Sequence, residues 1–336
     1  MSTTNSSNND SNASSGDSEI SPPRVARFWF LFLIDVPSVI CTFCIIIHIV
    51  TNRARRHALQ NHTILVILLM NLLVQLPDII LYLNAYQNGP LQPSSPAACL
   101  TWWFIDITFY NGGVILLAWM AIERHILIFH YQWIMNRRRR FIFHYSPLIV
   151  LVIYTLVFYI IAFFFIPCEN GYDYTVPVCG ESPCYQSYGV FGKWDLFANN
   201  CAPIILESVV SIGLILRVQW QKRRLRQSDQ WRKQRRMIIQ LCLVSGVNMC
   251  INLPIYLITF AHLCGLPSQY GVQASSYFYF FSYLVTLLFP FTSLSQYPEL
   301  RKVIEKKVFC MSTRQLPFGS TVVPARRAIP TGVADV

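Results

Sequence analysis

Charge is scarce in this chain. Asp, Glu, Lys and Arg make up 13% of its 336 residues, against about 25% in a typical soluble domain. Acidic residues are the rarer sign, 16 against 27 basic ones. So little charge excludes an ordinary water-facing surface. Enzyme signatures are missing as well. There is no HExxH, no GxSxG and no clustered His/Asp set, so the metalloprotease and α/β-hydrolase classes drop out and no enzyme is expected. No stretch of one half repeats in the other, which argues against a transporter built by duplication. The first 23 residues are rich in Ser, Asn and Asp, with almost nothing apolar. They lack the apolar core of a cleaved signal peptide and read as a disordered tail.

What the chain has in quantity is hydrophobic residues, 54% of the total, with 14% aromatic and a mean hydropathy of +0.40. Crossing a bilayer takes roughly 20 mostly apolar residues in helix. Seven segments qualify, at about 28–51, 63–86, 98–129, 146–166, 196–220, 237–263 and 274–297. Buried helices of a large soluble protein are the other reading, and seven long spans with so little polar sequence between them argue against it. The fold class expected is all-α, a seven-transmembrane bundle. A channel or transporter remains the rival function for such a chain.

Basic residues set the orientation. Arg53, Arg55 and Arg56 lie between segments one and two, Arg137–Arg140 between three and four, and eight Lys and Arg from Lys222 to Arg236 between five and six. The opposite side has Arg24, Arg27 and Lys193. The N-terminus is expected outside the plasma membrane and the C-terminus in the cytosol. Nucleic-acid binding is not expected, since the basic runs are split among loops with no aromatic platform between them; anionic membrane lipids are the natural partner of such loops.

On that topology the sequons at Asn5, Asn9 and Asn12 are glycan acceptors. Asn61 also heads one but falls on the cytosolic side. After segment seven, Leu300, Val303, Ile304 and Val308 recur at helical spacing between Lys and Glu. This predicts an amphipathic helix over 298–310 on the membrane surface, ending at Cys310, a palmitoylation candidate, with a cytoplasmic tail over 311–336. The receptor body is then 28–297, after a tail at 1–27. Four other cysteines face the oxidising side: Cys99 at the start of segment three, and Cys168, Cys179 and Cys184 in the loop between four and five. Disulfides are expected there. Zinc would need nearby histidines or a CxxC pair, and that loop has neither, so neither metal nor cofactor is predicted.

Glu123 and Arg124 are the odd feature of segment three, a charged pair inside the apolar run AWMAIERHILIF. Charge at such depth is costly and usually functional. Arg124 lies 25 residues after Cys99. With the seven spans, the outside N-terminus and the amphipathic helix, that interval resembles the rhodopsin-like G-protein-coupled receptors, whose Asp/Glu-Arg-Tyr motif would be Glu123-Arg124-His125 here. The resemblance covers about residues 28–310. It implies that Glu123 restrains Arg124 at rest, and that Arg124 is released toward a heterotrimeric G protein on activation. A structural ion pair is the plainer reading. The resemblance also implies that Cys99 pairs with a loop cysteine, Cys184 by its interval from Pro203 or else Cys179, leaving Cys168 with Cys179. Pro203, Pro254 and Pro290 fall where the family kinks its helices.

Departures from the family pattern are substantial. Asn252 stands where a tryptophan is usual before Pro254, Phe289-Pro290 lacks the usual Asn, Asn71 replaces an acid in segment two, and Gln234 replaces the acid expected in segment six. For a ligand, Asp106 lies where amine receptors carry their amine-pairing acid, and Tyr283 matches a supporting tyrosine. Asp78, Tyr110, Asn252, Tyr256 and Tyr279 complete the candidate pocket. An amine, a peptide or another small polar molecule is the ligand class implied. The alternative for Asp106 is an interhelical network in which Asn or Tyr neighbours satisfy it.

Overall fold

The computed structural model describes residues 23–89, 95–130, 132–174, 179, 183–224, 229–267, 269–304 and 306, with side chains for all of these but 133, 134, 221–224, 229–237 and 272. Among them there is no strand. Seven helices are long and apolar enough to cross a membrane: Arg24–Thr51, Leu59–Asn88, Pro96–Phe129, Arg137–Phe164, Gly189–Trp220, Ile238–Leu263 and Gln273–Leu294, called spans one to seven below. Helices close their own backbone hydrogen bonds, which lipid requires.

The core is largely apolar, but the polar side chains of the spans turn inward and the lipid-facing surface is apolar. On span one Leu33, Ile40 and Ile47 recur every seven residues and are 63%, 58% and 59% exposed, while Asp35, Ser38 and Thr42 are buried on the opposite face. A water-soluble helix shows the reverse. Ser38 Oγ donates to the Leu287 carbonyl (2.8 Å) and Gln75 Nε2 to Ser38 Oγ (2.7 Å), tying spans one, two and seven.

Span three is the axis. It begins at a Ser95 cap, whose hydroxyl accepts from the Ala98 N–H, with Pro96 in the first turn where its missing N–H does no harm. Its 34 residues make about 51 Å of helix, well beyond a hydrocarbon core of about 30 Å, so both ends emerge from lipid.

Several boundaries differ from the sequence reading, and three of them matter for the site. Span one begins at Arg24, inside the expected tail. Span four begins at Arg137, because Asn136 caps a helix through Arg137–Arg140; long arginine stems tolerate an interface that hydropathy scores as loop. Span five begins at Gly189. Three π-turns interrupt the helices, at Gln75–Ile79, Phe141–Tyr145 and Asp195–Cys201. Each contains a proline or lies within two residues of one: Pro77, Pro147 and Pro203. A proline ring crowds the carbonyl four residues back, and a wider turn relieves that contact. Pro254 and Pro290 lie inside continuous helices.

The disulfides correct the expected pairing. Cys99 is joined to Cys179 and Cys168 to Cys184, with Cα–Cα distances of 5.8 and 5.9 Å. The cause is local. Cys184 opens a single 3-10 turn ahead of span five, and its N–H bonds Asn170 Oδ1 at 2.9 Å. That places Cys184 beside Cys168 at the exit of span four, and leaves Cys179 to reach span three.

Residues 1–296 and 297–336 form two compact units. In the second, residues 298–304 and 306 are helical. Asn5, Asn9, Asn12, Cys310 and the tail over 311–336 lie outside the described residues.

Candidate functional site

Three helices present polar pairs one turn apart to a common space: Asp78 and Tyr82 on span two, Trp102 and Asp106 on span three, Tyr279 and Tyr283 on span seven. Tyr279 Oη donates to Asp106 Oδ2 (2.8 Å) and Tyr283 Oη to Asp106 Oδ1 (3.1 Å). The Trp102 indole N–H donates to Asp78 Oδ1. Both acids are buried. Four of the predicted ligand residues are thus brought together, and Asp106 is satisfied by tyrosines, the arrangement set out as the alternative to a ligand contact.

Tyr110 and Asn252 lie one turn further from the Cys99 end of span three, and Tyr256 follows Asn252 by one turn of span six. Tyr110 Oη reaches Asn252 Oδ1 (2.9 Å) and the Ser282 carbonyl (3.2 Å). Asn252 Nδ2 donates to Asn248 Oδ1 (2.7 Å), and Asn248 Nδ2 to Glu207 Oε2 (2.5 Å). Asn252, in the usual tryptophan's place, therefore turns an apolar contact into a hydrogen-bonded column through spans three, five, six and seven. Glu207 had no role in the sequence reading and forms its foot. Tyr256 makes no hydrogen bond to a described residue.

Another buried acid escaped the sequence reading altogether. Asp195 is 3% exposed and accepts from Tyr159 Oη (2.7 Å), Asn199 Nδ2 (2.9 Å) and Tyr185 Oη (3.1 Å). Asn111 Nδ2 donates to Tyr159 Oη (2.6 Å). The cage joins spans three, four and five to the loop that carries Cys184. The spacing Asp195-x-x-x-Asn199, one helical turn, was the available signal.

At the other end of span three, Glu123 and Arg124 do not pair with each other. Adjacent helix residues project in different directions and do not face one another. Glu123 Oε1 lies 3.0 Å from His144 Nδ1 on span four, an ion-pair distance without hydrogen-bond angles. His144 Nε2 is 3.1 Å from His62 Nδ1, and His62 Nε2 is 2.8 Å from the Arg56 carbonyl. Arg124, 1% exposed, donates through Nη2 to the Gln60 carbonyl (3.1 Å). His125 accepts from Arg217 Nη1 on span five (2.9 Å), and that guanidinium lies 4.2 Å from the centroid of the Phe129 ring. The three predicted coupling residues thus reach spans four, two and five respectively. Replacing His144 by Phe strands a buried carboxylate and should lower stability by about 1–3 kcal/mol. Glu123→Gln in the same chain should recover part of that loss. Melting midpoints of the two single variants and the double would show it, and strict additivity would rule out the pair.

The family model described as 7 transmembrane receptor (rhodopsin family) matches residues 43–294, three quarters of the chain. The chain belongs to the rhodopsin family of seven-transmembrane receptors. No curated protein matches it. As a member of that family it is a multi-pass membrane protein and a signalling receptor of the G-protein-coupled class. Within this receptor the Cys99 to Arg124 interval runs from a disulfide at one end of span three to the polar cluster at the other, and the column through Tyr110, Asn252, Asn248 and Glu207 lies between.

Proposed function

We propose that this receptor stands in the plasma membrane with its N-terminus outside, takes an extracellular ligand into the outer half of the bundle around Asp106, and activates a heterotrimeric G protein through Arg124. The observation that carries the reading is the hydrogen-bonded column. Tyr283 bonds Asp106 and packs near Tyr110, with ring centroids 6.2 Å apart, and from Tyr110 the bonds run through Asn252 and Asn248 to Glu207. A ligand that takes Asp106 from its tyrosines disturbs span seven, and through Tyr110 the contacts of spans five and six. Release of Arg124 then means leaving the Gln60 carbonyl, and not Glu123. The freed guanidinium fork suits carbonyl groups of a docked partner helix. On the same topology Asn5, Asn9 and Asn12 carry glycans outside, the amphipathic stretch over 298–310 lies on the inner leaflet, and Cys310 takes palmitate.

Arg124→Ala should cut basal G-protein activation by about tenfold or more, the loss of one charge-assisted contact of about 1.5 kcal/mol or above. The assay is G-protein dissociation in cells, with surface amount set by an N-terminal epitope labelled on intact cells. An epitope that needs permeabilised cells overturns the orientation. Normal signalling by Arg124→Ala at matched surface level overturns the coupling role.

A further inference from the structure

The cluster of Asp78, Tyr82, Trp102, Asp106, Tyr279 and Tyr283 holds two buried carboxyl groups and too few donors. Trp102 uses its one N–H on Asp78, and Tyr279 and Tyr283 use their one O–H each on Asp106. Asp78 Oδ2 and the Tyr82 hydroxyl, in side chains 0% and 6% exposed, make no hydrogen bond of good geometry to a described residue; the Tyr283 hydroxyl lies close to both but is spent on Asp106. Tyr82 follows Asp78 by one turn, and its ring lies edge-on to Trp102 at 5.3 Å and to Tyr283 at 5.4 Å, so it stands on the wall that both acids share. No Lys or Arg among the described residues pairs with either carboxylate. Two carboxylates in one site raise each other's free energy, and an unpaired charge away from water is strongly disfavoured.

We propose that Asp78 and Asp106 together anchor a ligand with two basic nitrogens a few bonds apart, of the short aliphatic diamine class. One ammonium sits at Asp106 and the other at Asp78 Oδ2 and the Tyr82 hydroxyl. This rests on the reading that ligand enters the outer half of the bundle. Two positive charges match two carboxylates, where a single ammonium leaves one acid unmatched. An ammonium brings three donors and no acceptor, which fits a wall with spare acceptors. Tyr279 is 42% exposed and Tyr283 3% exposed, so of the two tyrosines that bond Asp106 Tyr279 is the one freer to move aside. Asp78 and Tyr82 are then the residues that separate dibasic from monobasic ligands.

The test uses the purified full chain in lipid nanodiscs and its thermal unfolding with 1,4-diaminobutane, 1-aminobutane or 1,4-butanediol. The diamine should bind about tenfold or more tightly than the monoamine, one charge-assisted contact, and the diol should give no shift. Asp78→Asn should bring diamine and monoamine to within about threefold of each other. Tyr82→Phe keeps both charges, removes only the hydroxyl, and should weaken the diamine several-fold while sparing the monoamine. Equal affinities for diamine and monoamine in the wild type overturn the proposal. So does a folded Asp78→Asn that keeps the preference. If Asp78→Asn does not fold, the wild-type comparison and Tyr82→Phe decide. Binding is read without a G protein, so failure here leaves the Arg124 result standing, and failure of Arg124 leaves this one.

Discussion

Asp195→Ala is expected to lower the stability of this receptor by about 3–5 kcal/mol, more than any other single side-chain truncation in the bundle. The carboxylate is the acceptor for Tyr159, Tyr185 and Asn199 at once, and Asn111 leans on Tyr159. Removing it leaves three buried donors without an acceptor, each worth about 1–3 kcal/mol. They share one network, so the losses do not simply add. Asp195→Asn keeps the shape and one acceptor oxygen but points an amide donor at other donors, and should fall between alanine and wild type. The measurement is the melting midpoint in detergent, together with the amount reaching the cell surface. An Asp195→Ala protein that melts with the wild type would mean that the cage contributes nothing.

Loss of the Cys99–Cys179 bond should come next. It spans 80 residues, against 16 for Cys168–Cys184. Chain entropy alone makes the long closure worth about 4.5 kcal/mol and the short one about 3 kcal/mol. Cys99→Ser and Cys179→Ser should therefore be equivalent to each other and harsher than Cys168→Ser and Cys184→Ser. Surface yield of the four serine variants, with non-reducing peptide mapping of the wild type, checks both the ranking and the pairing. A peptide linking Cys99 to Cys184 would refute the connectivity.

The seven spans could be read from the sequence because an apolar run of helical length has few other uses, and the Cys99 to Arg124 interval marked span three. What could not be read sits at the ends of spans four and five. Hydropathy began segment four at 146 and segment five at 196. His144 thus fell just outside a segment, and Asp195 missed its segment by one residue. Both are buried, 0% and 3% exposed, because neighbouring helices and not lipid cover them there. A hydropathy window scores a side chain's taste for lipid, and these two never meet it. The Glu123–Arg124 pairing failed for a different reason. Neighbours in sequence suggested an ion pair, but on a helix they point apart, and the true partner of Glu123 came from span four. The preference for Cys184 over Cys179 failed because an interval from Pro203 does not register the 3-10 turn and the Asn170 bond that hold Cys184 beside Cys168.

The three π-turns have a consequence beyond this one chain. A π-turn contains one residue more than the α-turn in its place, so every position past it is displaced by one in any residue-by-residue comparison and rotated by about 100° around the helix. A relative with plain α-helix at 75–79, 141–145 or 195–201 would align with this receptor only across a one-residue gap in the middle of a hydrophobic span, the place where alignment schemes penalise gaps most. Distant kin of this receptor are best sought with single-residue gaps allowed at those three turns.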